Sequence, residues 1–486
     1  MVYKISRREF LKVFGVSAAA LSLAGCGEML VKDSTSRKPN IIFIMADDLG
    51  YGELGCYGQK KIKTPNIDRL AAEGMKFTDF YSGSAVCAPA RCILMTGKHG
   101  GHAYVRDNYE IKTGKPFQGQ LPLPKGTETI SSILKERGYA TGAFGKWGLG
   151  TPGSTGGPLE NGFDRFFGYN CQRHAHNLYP KYLVDNNGKR TLEGNTRGVT
   201  GKHYAPQVIA DEMLQFVREN KDKPFFVYYP TVLPHLPLQA PQEDIEEYKG
   251  KWPEKPYEGR SYQSHPTPKS CYAAMISFVD KQVGRLMKLL KELDIDDNTI
   301  VFFTSDNGTT FLKEQVDYEF FESVGALRGL KGSLYEGGIR VPMIARFPGR
   351  VAPATVSDLP GASYDMLATL AEISGADVTS ETDGISIVPT LLSKPDQQKK
   401  HEYLFWDFAG YGGQLAVRSG KWKAVKRDIK KNPQAKLELY DLENDIEEKT
   451  DISNKYPDIA KQLEAIMLKA RITSEVEKFR FGQYPE

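Results

Sequence analysis

Asn40-Ile41-Ile42-Phe43-Ile44-Met45-Ala46-Asp47-Asp48-Leu49-Gly50 is an unbroken apolar run that ends in two acidic residues and a glycine. A run with no apolar/polar alternation predicts a strand buried on both faces, as in parallel sheets. Two further runs repeat the arrangement. Residues 224–230 (PFFVYYP) lead to Pro234-His235, and residues 298–304 (NTIVFFT) lead to Ser305-Asp306-Asn307-Gly308. Chemically loaded residues just beyond C-terminal strand ends are where open α/β sheets place their sites.

Helical patterns separate these strands. Residues 65–75 open on Pro65, place Ile67, Leu70 and Ala71 on one face, and stop at Gly74. Residues 127–137 and 205–220 are helical, and 272–293 carry Ile276, Val279, Val283, Leu286, Leu290 and Leu293 at helical spacing. Residues 141–147 and 341–347 are strand-like. The alternation implies an α/β fold, a large mostly parallel sheet sandwiched by helices, over residues 39–399. From about residue 400 the texture changes. Short strands at 403–406, 415–418, 422–425 and 435–441, with a helix at 457–471, predict a smaller C-terminal antiparallel sheet subdomain, residues 400–486.

The chain has 486 residues, 40% hydrophobic and 26% charged. That suits one large core with an appendage and excludes a fibrous or disordered chain. A net charge of +4 gives no argument for a nucleic-acid partner. The six cysteines are too few and too scattered for a disulfide framework and contain no CxxC pair. Cys56, Cys92, Cys171 and Cys271 are expected to be buried thiols.

The first residues are an address. Ser6-Arg7-Arg8-Glu9-Phe10-Leu11-Lys12 looks like a twin-arginine export signal, and the apolar stretch 13–24 is shorter than the ~20 residues a spanning helix needs. Leu23-Ala24-Gly25-Cys26 resembles a lipoprotein cleavage box, with Cys26 as the acylated residue. Residues 1–26 are read as export signal with lipobox and 27–38 as tether. The expectation is an exported bacterial lipoprotein that meets the membrane only through its lipid.

Cys87-Ala88-Pro89-Ala90-Arg91 carries the chemistry. Pro89 suits a first helical turn, so Cys87 is expected at a helix N-terminus with Arg91 on the same face. Helix end and guanidinium both favour an anion there, and by themselves predict a low-pKa thiol in an anion pocket.

The same five residues, followed by Leu94, Thr96 and Gly97, resemble the first signature of the formylglycine-dependent sulfatases, where the cysteine is oxidised to formylglycine. Residues 138–150, GYATGAFGKWGLG, resemble the second signature, and the similarity runs over roughly residues 38–470 to Glu438-Leu439-Tyr440-Asp441-Leu442. The resemblance implies an alkaline-phosphatase-like fold, a sulfuric ester hydrolase, and a formylglycine-generating maturation enzyme as partner. It implies that Asp47, Asp48, Asp306, Asn307 and the modified residue 87 bind a metal. Three carboxylates and an amide suit Ca²⁺ or Mg²⁺ and disfavour zinc or copper; the resemblance implies calcium, with Mg²⁺ second. Lys146 and Lys331 match the family's sulfate-contacting lysines, and His235 matches the histidine at the leaving-group oxygen. One hydroxyl of the hydrated aldehyde then attacks sulfur while Ca²⁺, Arg91, Lys146 and Lys331 stabilise the sulfuryl oxygens. His235 protonates the departing alcohol, and loss of a proton from the second hydroxyl expels sulfate.

One position departs from the pattern. The second signature usually has histidine after Lys-Trp, and here it is Gly148. That leaves the last proton transfer unassigned, with His102, His174 and His176, or a metal-bound oxygen or water, as candidates. Donor-dense loops containing Arg173, His174 and His176, and His102, are expected to bind the substrate, a sulfated oligo- or polysaccharide of galactose or N-acetylgalactosamine type. Two alternatives remain open: a phosphonate or phosphate ester hydrolase of the same superfamily, and a noncatalytic glycan-binding pseudo-sulfatase.

Overall fold

The computed structural model describes residues 37–111 and 119–485. The export signal, Cys26 and residues 27–36 of the tether lie outside the described residues. The apolar run at residue 40 forms the strand Asn40–Asp47, buried throughout. Ile42, Ile44 and Ala46 enter one core, shared with helices Ala205–Glu219 and Pro268–Glu292. Ile41, Phe43 and Met45 enter a second, shared with helices Cys87–Thr96, Ile130–Glu136 and Asp365–Ser374. Both faces are covered by helices, so neither face needed polar residues.

Asn40–Asp47 lies between Thr299–Ser305 and Phe225–Pro234, parallel to both. Ala140–Lys146 and Arg165–Tyr169 continue the parallel set. Antiparallel pairings flank it on each side in a ten-stranded sheet. The strand expected at 341–347 is Met343–Arg346, and it runs antiparallel to Thr299–Ser305. The helix expected at 65–75 ends at Ala72, and Met75–Phe77 is a strand paired with Met343–Arg346. Gly74 makes that turn possible, because a Cβ there would stand 2.3 Å from the Ala345 carbonyl oxygen. The helix expected at 127–137 begins at Ile130, where Thr129 and Ser132 cap one another in a capping box.

The C-terminal strands Leu404–Phe408, Gln414–Ser419, Trp422–Lys426 and Glu438–Asp441 form the expected antiparallel sheet. One face, with Phe405, Val417, Ala424 and Leu439, packs on helix Pro457–Lys469 through Leu463 and Met467. The other face, with Trp406, Ala416, Val425 and Tyr440, joins the second core of the main domain. A buried ionic knot locks the two together. Lys423 Nζ lies 2.7 Å from Glu336 and 3.0 Å from Glu448, all three fully buried. Glu336 opens the short helix Glu336–Ile339, just beyond the loop carrying Lys331.

Candidate active site

Parallel central strands bring their C-terminal ends to one edge. Asp47 pairs in register with Pro234, and Ala46 with Ser305, so Asp47-Asp48, His235 and Asp306-Asn307 converge. Asp48 adopts φ +62°, a left-handed conformation that aspartate tolerates better than most residues, and it sits where an outlier marks function.

Cys87 occupies the first turn of helix Cys87–Thr96, as the sequence predicted, and is fully buried. Asn108 Oδ1 accepts the Ala88 backbone N–H at 2.9 Å, satisfying a donor at that helix end. The Cys87 sulfur lies 3.4 Å from Asp47 Oδ1 and 3.6 Å from Lys331 Nζ. The low-pKa thiol expected from the helix start is not what the structure contains. Burial, then the Asp47 carboxylate, push the thiol up to about 12, outweighing Lys146 and Lys331. Unmodified Cys87 is therefore a protonated, poor nucleophile.

The cations are fixed by carboxylates. Lys146 Nζ lies 2.6 Å from Asp47. Lys331 Nζ lies 2.7 Å from Asp48 Oδ1. Arg91 spans Asp306 at 2.7 Å and Asp47 at 3.3 Å, and also donates to the Lys146 carbonyl. Burial raises the Asp47 carboxyl, but Lys146, His235, Arg91 and Lys331 together hold it well below the usual carboxylate range. Asp306 is pushed up to about 6 by burial and then by Asp47. Arg91 and Lys146 lie beneath the floor of the cavity, whereas Asp48, Cys87, His235 and Lys331 line it. Arg91 thus orients two acidic residues from below.

A metal is well matched to this arrangement. Donor atoms of Asp47, Asp48, Cys87 and His235 lie within 4.8 Å of one another. Asp306 Oδ1 accepts the Asp48 backbone N–H, and Asn307 Nδ2 donates to Asp48 Oδ1. Asn307 Oδ1, the amide's ligating atom, is buried with no hydrogen-bond partner. Oxygen donors of this kind fit a hard divalent cation.

His235 is 5% exposed. Its Nδ1 bonds the Leu236 carbonyl at 2.6 Å, leaving Nε2, 3.7 Å from Asp48, to face the cavity. Burial, then Lys331, lower its pKa to about 4. His176 stacks on it, ring centroids 5.4 Å apart, and also lines the cavity with Arg173. Two expected substrate contacts do not reach it. His174 packs between Tyr169 and Tyr182 and bonds the Tyr182 carbonyl. His102 stacks on His99 and bonds Asp383, lining a separate cavity. Neither is among the residues that line the catalytic cavity.

Gln172 is the residue sequence reasoning passed over. Gly148 has φ +87°, and a Cβ there would stand 2.8 Å from the Gln172 amide nitrogen. Gln172 is 6% exposed, lines the cavity, and has both amide atoms unpartnered. Its carboxamide occupies the space a side chain at position 148 would enter. The only signal in the sequence was its place beside Arg173 in a donor-rich loop.

The sulfatase family profile matches residues 39–376, and a second profile, described as the C-terminal part of N-sulphoglucosamine sulphohydrolase, matches residues 330–473. The chain belongs to the sulfatase family. It is 33% identical to arylsulfatase A of Homo sapiens over 416 residues, 80% of this chain and 75% of that one. It is 28% identical to an N-acetylgalactosamine-6-O-sulfatase of Bacteroides thetaiotaomicron, covering 92% of this chain and 96% of the other. A solved structure described as Ps i-CgsB in complex with k-i-k-neocarrahexaose matches with TM-score 0.74 and 30% identity, over 89% of this chain and 92% of that one. The fold is that of alkaline-phosphatase-like sulfatases, and the protein is a sulfuric ester hydrolase.

Proposed function

We propose that this sulfatase removes sulfate from sulfated glycans, using residue 87 as formylglycine beside a bound Ca²⁺. The observation that carries the reading is Cys87, buried within reach of both Asp47 and Lys331, with its thiol held protonated. Such a thiol gains nothing from these neighbours as a thiol, but an oxidised, hydrated side chain would use all of them. In that form residue 87 supplies one hydroxyl to attack sulfur and a second to expel sulfate. Asp47, Asp48, Asp306 and Asn307 would hold Ca²⁺, with Mg²⁺ the lesser fit, and the ion would add positive charge against the sulfuryl oxygens.

The chain's own residues do the rest. Lys331 reaches the cavity and neutralises an equatorial sulfuryl oxygen. Lys146 and Arg91 fix Asp47, which holds the proton-bearing group at residue 87. His235 turns Nε2 towards the leaving-group oxygen, because Nδ1 donates to the Leu236 carbonyl, and it gives that oxygen a proton from the imidazolium that a bound anionic sulfate ester favours. Gln172 can donate or accept a hydrogen bond where the family pattern has histidine, but it cannot carry away a proton. Relatives named for N-acetylgalactosamine 6-sulfate and a neighbour bound to a neocarrahexaose support a galactose-type sulfated glycan as substrate. The N-terminal sequence supports export and anchoring through Cys26.

Mass spectrometry of the residue-87 peptide, after co-production with a formylglycine-generating enzyme, tests the nucleophile. Sulfate release from monosulfated sugars, with aryl sulfate and aryl phosphonate in parallel, tests the reaction. An aldehyde at 87 with sulfate release is expected. Preference for the phosphonate, or binding of sulfated sugar without release, overturns the proposal.

A further inference from the structure

Large apolar side chains are exposed at few places among the described residues, and two of them, Phe311 at 44% and Tyr411 at 57%, lie together on the lip of the catalytic cavity. Their rings meet edge to face, centroids 6.1 Å apart. They come from different parts of the fold. Phe311 follows the Asp306-Asn307 strand end in the main domain. Tyr411 sits in the turn joining strands Leu404–Phe408 and Gln414–Ser419 of the C-terminal sheet.

The backbone makes an unusual effort to present Tyr411. Its φ is +45°, a conformation disfavoured for a bulky residue, in the segment Gly410-Tyr411-Gly412-Gly413. A strained, exposed aromatic at the mouth of a site is a departure that folding alone does not favour. The ring lies over Gly332, where a Cβ would touch it at 3.3 Å, and Gly332 follows the cavity lysine Lys331. The shelf is thus joined to the sulfate-binding end of the cavity through one peptide unit. Arg173 also lines the cavity; its side chain is 68% exposed and it pairs with Glu110 at 2.8 Å.

We propose that Phe311 and Tyr411 form a carbohydrate subsite that stacks against the pyranose ring next to the sulfated one. This rests on the glycan sulfatase reading above. The apolar C–H face of a pyranose suits an exposed aromatic ring, while its hydroxyl edge suits a guanidinium and a carboxylate. The cavity, about 480 Å³ and open at this lip, leaves room for a chain to continue past the reacting sugar. The enzyme accordingly favours sulfate carried on an oligosaccharide over the same sulfate on a free monosaccharide.

The test uses matured full-length protein, with Phe311→Ala, Tyr411→Ala and the ring-keeping Tyr411→Phe. Each is assayed on N-acetylgalactosamine 6-sulfate and a chondroitin 6-sulfate tetrasaccharide, or on a galactose sulfate and a neocarratetraose sulfate, whichever pair the wild type turns over. The ratio of kcat/KM on oligosaccharide to that on monosaccharide should fall about tenfold for each alanine variant, mainly through KM. Tyr411→Phe should keep the wild-type ratio. An unchanged ratio in the alanine variants, or an equal loss in Tyr411→Phe, overturns the subsite. Wild-type protein carrying formylglycine yet inactive on every sulfate ester, 4-nitrophenyl sulfate included, would instead overturn the sulfatase reading on which the subsite rests.

Discussion

Gln172→Leu should stabilise the protein while slowing it. Both amide atoms of Gln172 are buried without partners. A buried donor or acceptor left unpaired costs about 1–3 kcal/mol, and an apolar side chain of similar size carries none of that cost. The variant should therefore unfold at equal or higher denaturant, with a gain of up to about 3 kcal/mol. Activity should move the other way. A hydrogen bond from this amide to a charged oxygen in the transition state is worth about 1.5–3 kcal/mol, which corresponds to roughly 10- to 150-fold in kcat/KM. Urea unfolding and steady-state kinetics on an aryl sulfate, both on formylglycine-bearing protein, measure the two quantities. A destabilised Gln172→Leu with wild-type kinetics would refute the reasoning, since it would make the amide a structural partner with no part in the reaction. Gly148→Ala supplies a check on the same contact. Its Cβ would meet the Gln172 amide at 2.8 Å and its φ of +87° disfavours any side chain, so a loss of at least ~1–2 kcal/mol in stability is expected.

Lys423→Met leaves Glu336 and Glu448 buried without their shared cation and should cost about 3–5 kcal/mol in urea unfolding; pairing it with Glu448→Gln should recover part of the loss. Adding Ca²⁺ should raise the melting temperature, the stabilisation growing with the logarithm of its concentration to about 2.7 kcal/mol at a hundred times Kd, and Asp306→Asn should abolish the shift whether or not residue 87 is modified. His174 has its pKa lowered to about 4, chiefly by burial between Tyr169 and Tyr182. It is neutral in folded and unfolded chains above pH 6.5, so its contribution is intact there and is lost as pH falls from about 6.5 towards 4. His174→Phe should flatten that part of the stability–pH curve.

The main strands, most of the helices and the C-terminal sheet were legible in the sequence because each has its own period or its own unbroken apolar run. Asn40–Asp47 needed no partner to be recognised. The acidic pairs, Cys87, Lys146, His235 and Lys331 were legible for a related reason: motif and strand-end position are local properties of the chain. Tertiary structure decided everything that depends on burial. Cys87 at a helix start beside cations predicts a low pKa, yet desolvation and Asp47 reverse the sign. Arg91 lies beneath the cavity floor because Asp306 and Asp47 hold it there. His102 and His174 have the same side chain as His176, and only packing separates the one that faces the cavity from the two that face Asp383 and a pair of tyrosines. Gly148 is an absence in the sequence. Its meaning appears only when Gln172, distant along the chain, is found filling the space that the absent side chain leaves.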